Sequence, residues 1–216
     1  MILHGLERFA PDIPVVAEEA VADGAVPQTG ERFFLVDPLD GSKEFISRNG
    51  EFTVNIALIE HGAPVMGVVY APALGRIWWG TVGTGAYAAT VRDNALHDPK
   101  PVACMPCAGK GMRVVASRSH ASPQLDNYLK DIDVADYVPA GSSLKFCLLA
   151  EGSADLYPRM GRTMEWDTAA GDAILRAAGG HVATLDDVPL SYGKRNQPDD
   201  TDFANPPFVA STTRIV

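Results

Sequence analysis

Alternation of apolar and polar residues is the strongest pattern in the sequence, and it runs from residue 51 to residue 89. The stretch EFTVNIALIEHGAPVMGVVYAPALGRIWWGTVGTGAYAA is interrupted by turn signals at His61-Gly62, Pro72 to Gly75 and Gly83 to Gly85. Period-two alternation indicates strands with one buried face, and short turns join neighbouring antiparallel strands. The pattern therefore predicts an antiparallel meander.

Two short apolar runs precede this meander. IPVVA (13–17) and FFLV (33–36) are bounded by Pro, Gly and acidic residues, which favours buried strands. The stretch EEAVADGAVPQTGER between them (18–32) is predicted to be a loop. The mixed-charge stretch 89–111 predicts a weak strand followed by a connection between two halves.

The second half alternates strand and helix patterns. MRVVASRSH (112–120) predicts a strand, and SPQLDNYLKDI (122–132) predicts a helix with Pro near its start. GSSLKFCLLAEG (141–152) and MEWDTAAGDAILRAAGG (164–180) predict two further helices, the second ended by two glycines. The order of elements predicts an α+β half over residues 1–105 and an α/β half over residues 106–216.

Composition narrows the class of protein. The chain has 216 residues, 46% of them hydrophobic, with no apolar run near the roughly 20 residues of a membrane span and no signal-peptide layout. Three cysteines do not form a disulfide framework, so we expect a cytoplasmic protein. The net charge of −9 argues against binding to a nucleic acid polymer, and an anionic substrate would need metal ions or a local basic pocket.

The stretch FFLVDPLDGSKEF (33–45) carries the first candidate chemistry. Asp37 and Asp40 follow the apolar run, Pro38 stiffens the turn, and Gly41 allows a sharp bend before a short helix at Ser42. Divalent cations bind carboxylate and carbonyl oxygens, and a helix N-terminus favours an anion beside them. The alternative is one capping aspartate and one solvated aspartate in an ordinary turn.

Two further carboxylates favour the metal site. Glu18 follows the run VVA, and Asp167 stands at the start of the helix predicted over 164–180. Carboxylates at three separate element ends can converge on cations about 3.5–4 Å apart, an arrangement that activates water and stabilises a leaving oxygen.

Five motifs together resemble the inositol monophosphatase superfamily, and closely its CysQ-type 3′(2′),5′-bisphosphate nucleotidase branch. They are VVAEEA, DPLDGSKEFISRNGEFTVNIALIEHG, SRSH, GSSLKFCLLAEGSADLYPR and WDTAAG. The resemblance runs from about residue 10 to NPPFVAS near the end of the sequence. It implies a layered α-β-α-β-α fold of the sugar-phosphatase kind, here without its N-terminal helix pair, and a phosphoric monoester hydrolase.

The resemblance also implies a set of metal ligands. Glu18, Asp37 and the carbonyl of Leu39 would hold one Mg²⁺, and Asp37, Asp40 and Asp167 a second. Glu18 would share a third, more loosely held ion, and Mn²⁺ is an alternative metal. Glu18 and the Ser42 hydroxyl would orient the attacking water, while the N–H groups of Gly41 and Ser42 would hold the reacting phosphoryl group.

Substrate residues are implied in the second half. Gly141 opens a helix in which Ser142 and Ser143 would bind a second phosphate, with Lys145 and Arg159 adding charge-assisted hydrogen bonds. The nucleoside would contact His120, and Asp167 would also face the substrate. Taken singly, Lys145 fits a solvated helix charge, Arg159 a surface turn and His120 the end of a strand.

The activity implied is hydrolysis of the 3′-phosphate of adenosine 3′,5′-bisphosphate to AMP, with 3′-phosphoadenosine 5′-phosphosulfate as a second substrate and Li⁺ as an inhibitor. An inositol or sugar monophosphatase and a non-catalytic nucleotide-binding remnant are the alternatives. The predicted oligomeric state is a monomer or a homodimer.

Members of the superfamily carry two helices and an acidic segment ahead of the first matching strand, and the sequence contains no counterpart of this segment. MILHGLERFAPDIPVV resembles the end of the second helix leading into that strand. We expect either a gene start assigned too late or a shortened form, in which an apolar sheet face needs a partner to cover it and water activation is weaker.

Overall fold

The predicted meander forms the centre of a seven-stranded sheet in the computed structural model, which describes residues 2–107, 111–116 and 123–214. Its strands follow one another in chain order: β1 (Val15–Ala17), β2 (Arg32–Asp40), β3 (Thr53–Glu60), β4 (Ala63–Ala71), β5 (Arg76–Thr81), β6 (Gly85–Arg92) and β7 (Ala95–Val102). β1 pairs with β2 in parallel, and each later pair is antiparallel. The meander prediction is confirmed.

Three short helices accompany this sheet: α1 (Ile2–Phe9), α2 (Glu18–Ala22) and α3 (Ser42–Ser47), with a 3₁₀ turn at Pro72–Leu74. The prediction of a loop over 18–32 was wrong for its first five residues, which form α2, and for Arg32, which begins β2. Glu18 and Glu19 in the first turn of α2 favour this helix, because negative charge near a helix N-terminus is stabilising. Gly24, with a φ of +80°, follows two residues after the end of the helix.

The second half contains a five-stranded sheet in the order β12-β14-β10-β8-β9 and a separate pair, β11 with β13. These strands are β8 (Met112–Ala116), β9 (Val134–Pro139), β10 (Leu156–Arg159), β11 (Thr163–Met164), β12 (His181–Thr184), β13 (Ala204–Asn205) and β14 (Phe208–Ser211). The helices are α4 (Pro123–Leu129), α5 (Leu144–Ala150) and α6 (Glu165–Ala177). The three helices predicted here are confirmed.

Helix α6 lies between the two sheets. A Cβ on Gly67 of β4 would overlap the Ala170 backbone, and one on Gly80 of β5 would lie 2.9 Å from the Ala177 Cβ. These two glycines therefore let α6 approach the first sheet closely. On the other side, α6 contacts β12 and α5 contacts β10.

The outer layers complete the predicted α-β-α-β-α arrangement. Ile2 and Leu6 of α1 pack against Phe34 and Val36 on the opposite face of the first sheet. Leu125, Tyr128 and Leu129 of α4 pack on the second sheet beside Val114 and Leu156.

One large core joins the halves, because its members come from both. Trp78 of β5 lies in the same buried cluster as Phe146 and Leu149 of α5 and Ile174 and Leu175 of α6. The boundary predicted near residue 105 stays a prediction. Within the described residues, no helix has the length and apolar character needed to cross a membrane.

Candidate metal centre and phosphate pocket

The end of β2 is irregular where its two aspartates lie. Asp37 pairs with Asn55 of β3 and Asp40 pairs with Thr53, so two residues of β2 lie opposite one residue of β3. Residues three apart on a regular strand point to opposite faces, and the extra residue in this bulge lets both aspartates point the same way. Pro38 lies in the bulge, where its missing N–H costs no ladder hydrogen bond.

Asp37, Asp40 and Asp167 meet beside this bulge. Each offers a carboxylate oxygen, and the three oxygens lie within 4.8 Å of one another. Asp167 comes from the first turn of α6, so the group joins the first sheet to the helix between the sheets. The convergence expected from the sequence is present for these three residues.

Each of the three carboxylates has one oxygen anchored by the protein. Asp37 Oδ1 accepts a hydrogen bond from the Leu39 N–H at 2.9 Å, and Asp167 Oδ2 accepts one from the Met164 N–H at 2.8 Å. Asp40 Oδ2 accepts one from the Ser143 N–H at 2.7 Å. A carboxylate held through one oxygen can offer its other oxygen to a shared ligand.

Burial and mutual repulsion act on these acids. Removal from water, together with the charges of Asp40 and Glu18, raises the pKa of Asp37 to about 9. Burial also raises the pKa of Asp167 to about 7, again with Asp40 adding repulsion. A divalent cation relieves this repulsion and binds oxygen ligands of this kind, so the residues present fit Mg²⁺ or Mn²⁺.

Glu18 lies at the rim of the group. It begins α2 directly after β1, and its carboxyl group shares a hydrogen bond with Asp37. Partial burial raises the pKa of Glu18, and the hydrogen bond with Asp37 opposes this effect. Glu18 is outside the three-carboxylate group itself and touches it through Asp37.

Gly41 separates Asp40 from α3, which begins at Ser42. Gly41 has a φ of +90°, a conformation that side chains disfavour, and Ser42 is the exposed first residue of the helix. Leu39 is half-buried within the bulge.

A pocket of about 130 Å³ opens beside the three carboxylates. Its lining includes Asp40, Gly41, Ser142, Lys145, Arg159 and Asp167. Two of the three convergent carboxylates, Asp40 and Asp167, therefore line the same pocket as the predicted phosphate ligands Ser142, Lys145 and Arg159. The other described pockets lie elsewhere, one of them along β12 and β14.

Lys145 is the buried cation of this pocket, with 5% of its surface exposed. Its Nζ donates a hydrogen bond to the Ser142 carbonyl at 3.0 Å and lies 5.4 Å from the centre of the Tyr157 ring. Burial lowers the pKa of Lys145 to about 8, while the charge of Asp40 opposes that change. The side chain is thus not a solvated helix charge.

Arg159 ends β10 and supplies the second cation. Its guanidinium donates hydrogen bonds to the carbonyls of Gly161 at 3.0 Å and Arg162 at 3.2 Å. These contacts hold the side chain along its own turn while it lines the pocket.

The two serines before α5 have different surroundings. Ser142, at a φ of +47°, lines the pocket, and its hydroxyl donates a hydrogen bond to the Asp40 carbonyl at 3.0 Å. Ser143 is 1% exposed, and its hydroxyl contacts Asp40 Oδ2 and the Asp167 carbonyl. His120 lies outside the described residues.

Sequence reasoning missed Thr53 and Asn55. Both are buried on β3, and both donate hydrogen bonds to Asp40 Oδ2 at 3.2 Å. The available signal was the pair T-x-N, which places two polar side chains on the inward face of a strand predicted to be apolar there.

Comparison with known proteins identifies the lineage. The profile described as the inositol monophosphatase family matches residues 1–201. The chain belongs to the inositol monophosphatase family. It is 46% identical to the 3′(2′),5′-bisphosphate nucleotidase CysQ of Shigella flexneri, over 98% of this chain and 80% of that protein. The Salmonella typhimurium CysQ is 47% identical over 96% of this chain and 79% of its own length.

A solved structure supports the same assignment. The crystal structure of CysQ from Bacteroides thetaiotaomicron, a bacterial member of the family, superposes with a TM-score of 0.77 at 39% identity. The match covers 96% of this chain and 80% of that one. The layered fold expected from the sequence is confirmed, and this member of the inositol monophosphatase family is a phosphatase.

Proposed function

We propose that the protein is a Mg²⁺-dependent phosphatase that hydrolyses the 3′-phosphate of adenosine 3′,5′-bisphosphate, giving AMP and phosphate. The supporting observation is the pocket in which Asp40 and Asp167, two of the three convergent carboxylates, lie together with Lys145 and Arg159. A bisphosphate can place one phosphate beside the carboxylates and the other beside Lys145 and Arg159. 3′-Phosphoadenosine 5′-phosphosulfate carries the same 3′-phosphate and is the second proposed substrate.

The metal ligands in this proposal are Glu18, the Leu39 carbonyl and the carboxylates of the group of three, Asp37, Asp40 and Asp167. These oxygens would hold Mg²⁺, which would supply a lower pKa for the attacking water and positive charge beside the phosphoryl group. The anchored carboxylate oxygens keep the free oxygens in place, so little reorganisation accompanies substrate binding.

Residues around the metal ligands act on the reacting groups. Glu18 and the Ser42 hydroxyl orient the attacking water, and Glu18 accepts a proton as the new P–O bond forms. The N–H groups of Gly41 and Ser42 bind the phosphoryl oxygens. The bond from phosphorus to the 3′ oxygen breaks, and the leaving oxygen takes a proton from water.

The second phosphate binds to Lys145 and Arg159, with the Ser142 hydroxyl beside them. Charge-assisted hydrogen bonds from two cations suit a dianionic phosphate more than a neutral polyol. These cations supply local positive charge in a protein whose net charge is −9. Arg159 thereby favours the nucleotide over an inositol phosphate.

Parallel kinetics test this proposal. We expect a kcat/KM for adenosine 3′,5′-bisphosphate at least about 100-fold above that for inositol 1-phosphate at saturating Mg²⁺, since each phosphate contact to a cation contributes roughly 1.5–3 kcal/mol. EDTA should abolish both rates. Preferential cleavage of the inositol ester would contradict the proposal.

A further inference from the structure

Ser143 lies where the two halves of the chain meet at the metal centre. Its hydroxyl oxygen is 2.9 Å from Asp40 Oδ2 of β2 and 2.8 Å from the Asp167 carbonyl of α6. It also lies 2.8 Å from the Asn55 side-chain nitrogen of β3. One buried hydroxyl therefore contacts β2, β3 and α6.

Donor and acceptor chemistry fixes the direction of these bonds. The Asn55 amide nitrogen can only donate, so the Ser143 oxygen accepts from it and keeps its own hydrogen for Asp40 or for the Asp167 carbonyl. The second Asn55 N–H donates to Asp40 Oδ2. Thr53 lies 3.0 Å from the Asn55 amide oxygen and can hold that amide in this orientation.

These contacts saturate one oxygen of Asp40. The Ser143 N–H and one Asn55 N–H donate to Oδ2, and the Ser143 and Thr53 hydroxyl oxygens lie 2.9 and 3.2 Å from it. A carboxylate oxygen accepts about two strong hydrogen bonds, so Oδ2 has no room for a metal ion. Oδ1 is the oxygen that remains for the shared ligand, and its direction is set by the donors on Oδ2.

We propose that Ser143 and Asn55 are positioning residues that hold Asp40 for metal binding, and that the Ser143 hydroxyl is not a phosphate ligand. Ser143 is 1% exposed and its hydroxyl already has both a donor and acceptors. This inference rests on the metal centre in the proposed function. It changes the role that the sequence indicated for Ser143.

The same turn connects the metal centre to the phosphate pocket. Ser142 donates its hydroxyl hydrogen to the Asp40 carbonyl, and its own carbonyl accepts the hydrogen bond from Lys145. Ser142 thus faces the pocket while Ser143 faces the carboxylates. The two neighbouring serines have separable roles, which makes the proposal testable.

Mn²⁺ titration of the full chain, followed by electron paramagnetic resonance, tests the proposal without turnover. Ser143→Ala should weaken one class of Mn²⁺ site by about 10- to 100-fold, the usual effect of losing a group that orients a metal ligand. At saturating metal, the KM for adenosine 3′,5′-bisphosphate should stay within about 2-fold of the wild-type value, because phosphate contacts are retained. Wild-type Mn²⁺ affinity in Ser143→Ala, or a raised KM with unchanged Mn²⁺ affinity, would overturn the proposal.

Asn55→Ala provides an independent second variant. It should weaken the same Mn²⁺ site, and the double variant should lose little more than the weaker-binding single variant, because both residues act through Asp40. Should Ser143→Ala fail to fold, wild-type Mn²⁺ affinity in Asn55→Ala overturns the proposal on its own. Additive losses in the double variant also contradict it.

Ser153→Ala is the matched control, because Ser153 is exposed and its hydroxyl donates a hydrogen bond to Glu151 rather than to Asp40. It should bind Mn²⁺ like the wild type. A wild-type protein that binds Mn²⁺ and cleaves neither adenosine 3′,5′-bisphosphate nor inositol 1-phosphate contradicts the proposed function. The Mn²⁺ titration still decides the role of Ser143 in that case. A wild-type protein that binds no Mn²⁺ contradicts both.

Discussion

Gly41 and Ser142 come from opposite halves of the chain, yet a Cβ on Gly41 would overlap the Ser142 hydroxyl oxygen. Gly41 also has a φ of +90°. The absence of a side chain thus lets the loop after Asp40 pack against the turn that carries the predicted phosphate ligands. This contact joins the end of β2, which carries Asp37 and Asp40, to the turn beside the pocket that contains Lys145 and Arg159.

Gly41→Ala should therefore reduce both stability and activity. We expect a loss of about 1–2 kcal/mol in the free energy of unfolding from the positive φ alone, and a further loss from the overlap with Ser142. Gly24→Ala is the matched control, since Gly24 has a φ of +80° with open space around it. Urea unfolding measures the stability of both variants, and initial rates measure their activity. Equal losses of stability in the two variants, with wild-type rates in both, would contradict the account.

Asp37 gives the metal-free protein a specific dependence on pH. Its pKa is about 9 in the folded protein and near 4 in an unfolded chain, so the folded state holds the proton more tightly. The stability from this proton is complete below about pH 4 and is lost as the pH rises towards 9.

The measurement compares the wild type with Asp37→Asn, which cannot titrate. Without metal, the free energy of unfolding of the wild type relative to the variant should fall between about pH 6 and 8. The fall should be at most about 3 kcal/mol, because each pH unit contributes at most about 1.4 kcal/mol. Saturating Mg²⁺ should remove this fall, because the cation replaces the proton. Parallel pH profiles without metal would show that Asp37 is not protonated.

Lys145 should show a conflict between stability and substrate binding. Burial lowers its pKa to about 8, so its charge costs stability at pH 7, and this cost disappears as the pH rises from about 8 to 10.5. Lys145→Met should raise the free energy of unfolding at pH 7 by about 1–3 kcal/mol and raise the KM for the bisphosphate.

Exposed Lys130→Met serves as its control and should change neither quantity. The stability gain of Lys145→Met should shrink above about pH 8, where the wild-type lysine loses its proton. A destabilised Lys145→Met protein with an unchanged KM would contradict the role assigned to this cation.

Arg159→Glu tests the choice of substrate. Reversing the charge should raise the KM for adenosine 3′,5′-bisphosphate by roughly 10- to 100-fold, since a charge-assisted hydrogen bond is worth about 1.5–3 kcal/mol, while Mn²⁺ affinity changes little. Arg92→Glu, at the exposed end of β6, controls for net charge. Equal losses of nucleotide and metal binding in Arg159→Glu would show that Arg159 does not act on the second phosphate.

Much of the candidate site was predictable because its elements have local signals. The apolar run before Asp37 gives β2, and the spacing of apolar residues after Asp167 gives α6. The acidic residues at the ends of these elements indicated a metal site, and the length of the shared motifs indicated the family.

Other features depend on contacts between distant residues and have weak local signals. β9 is an edge strand whose residues are mostly exposed, so it has no apolar alternation to reveal it. The short helix α2 was mistaken for a loop because its five residues span little more than one helical turn, too few to show a repeated apolar spacing. The roles of Asn55 and Ser143 depend on a contact across 88 positions, which no local pattern records.

The most direct test of the proposed activity is to follow adenosine 3′,5′-bisphosphate by ³¹P nuclear magnetic resonance during incubation with the protein and Mg²⁺. The account predicts that the 3′-phosphate resonance disappears, inorganic phosphate appears in equal amount, and the 5′-phosphate resonance of AMP remains. Loss of the 5′-phosphate resonance instead, or no release of phosphate with Mg²⁺ present, would contradict the account.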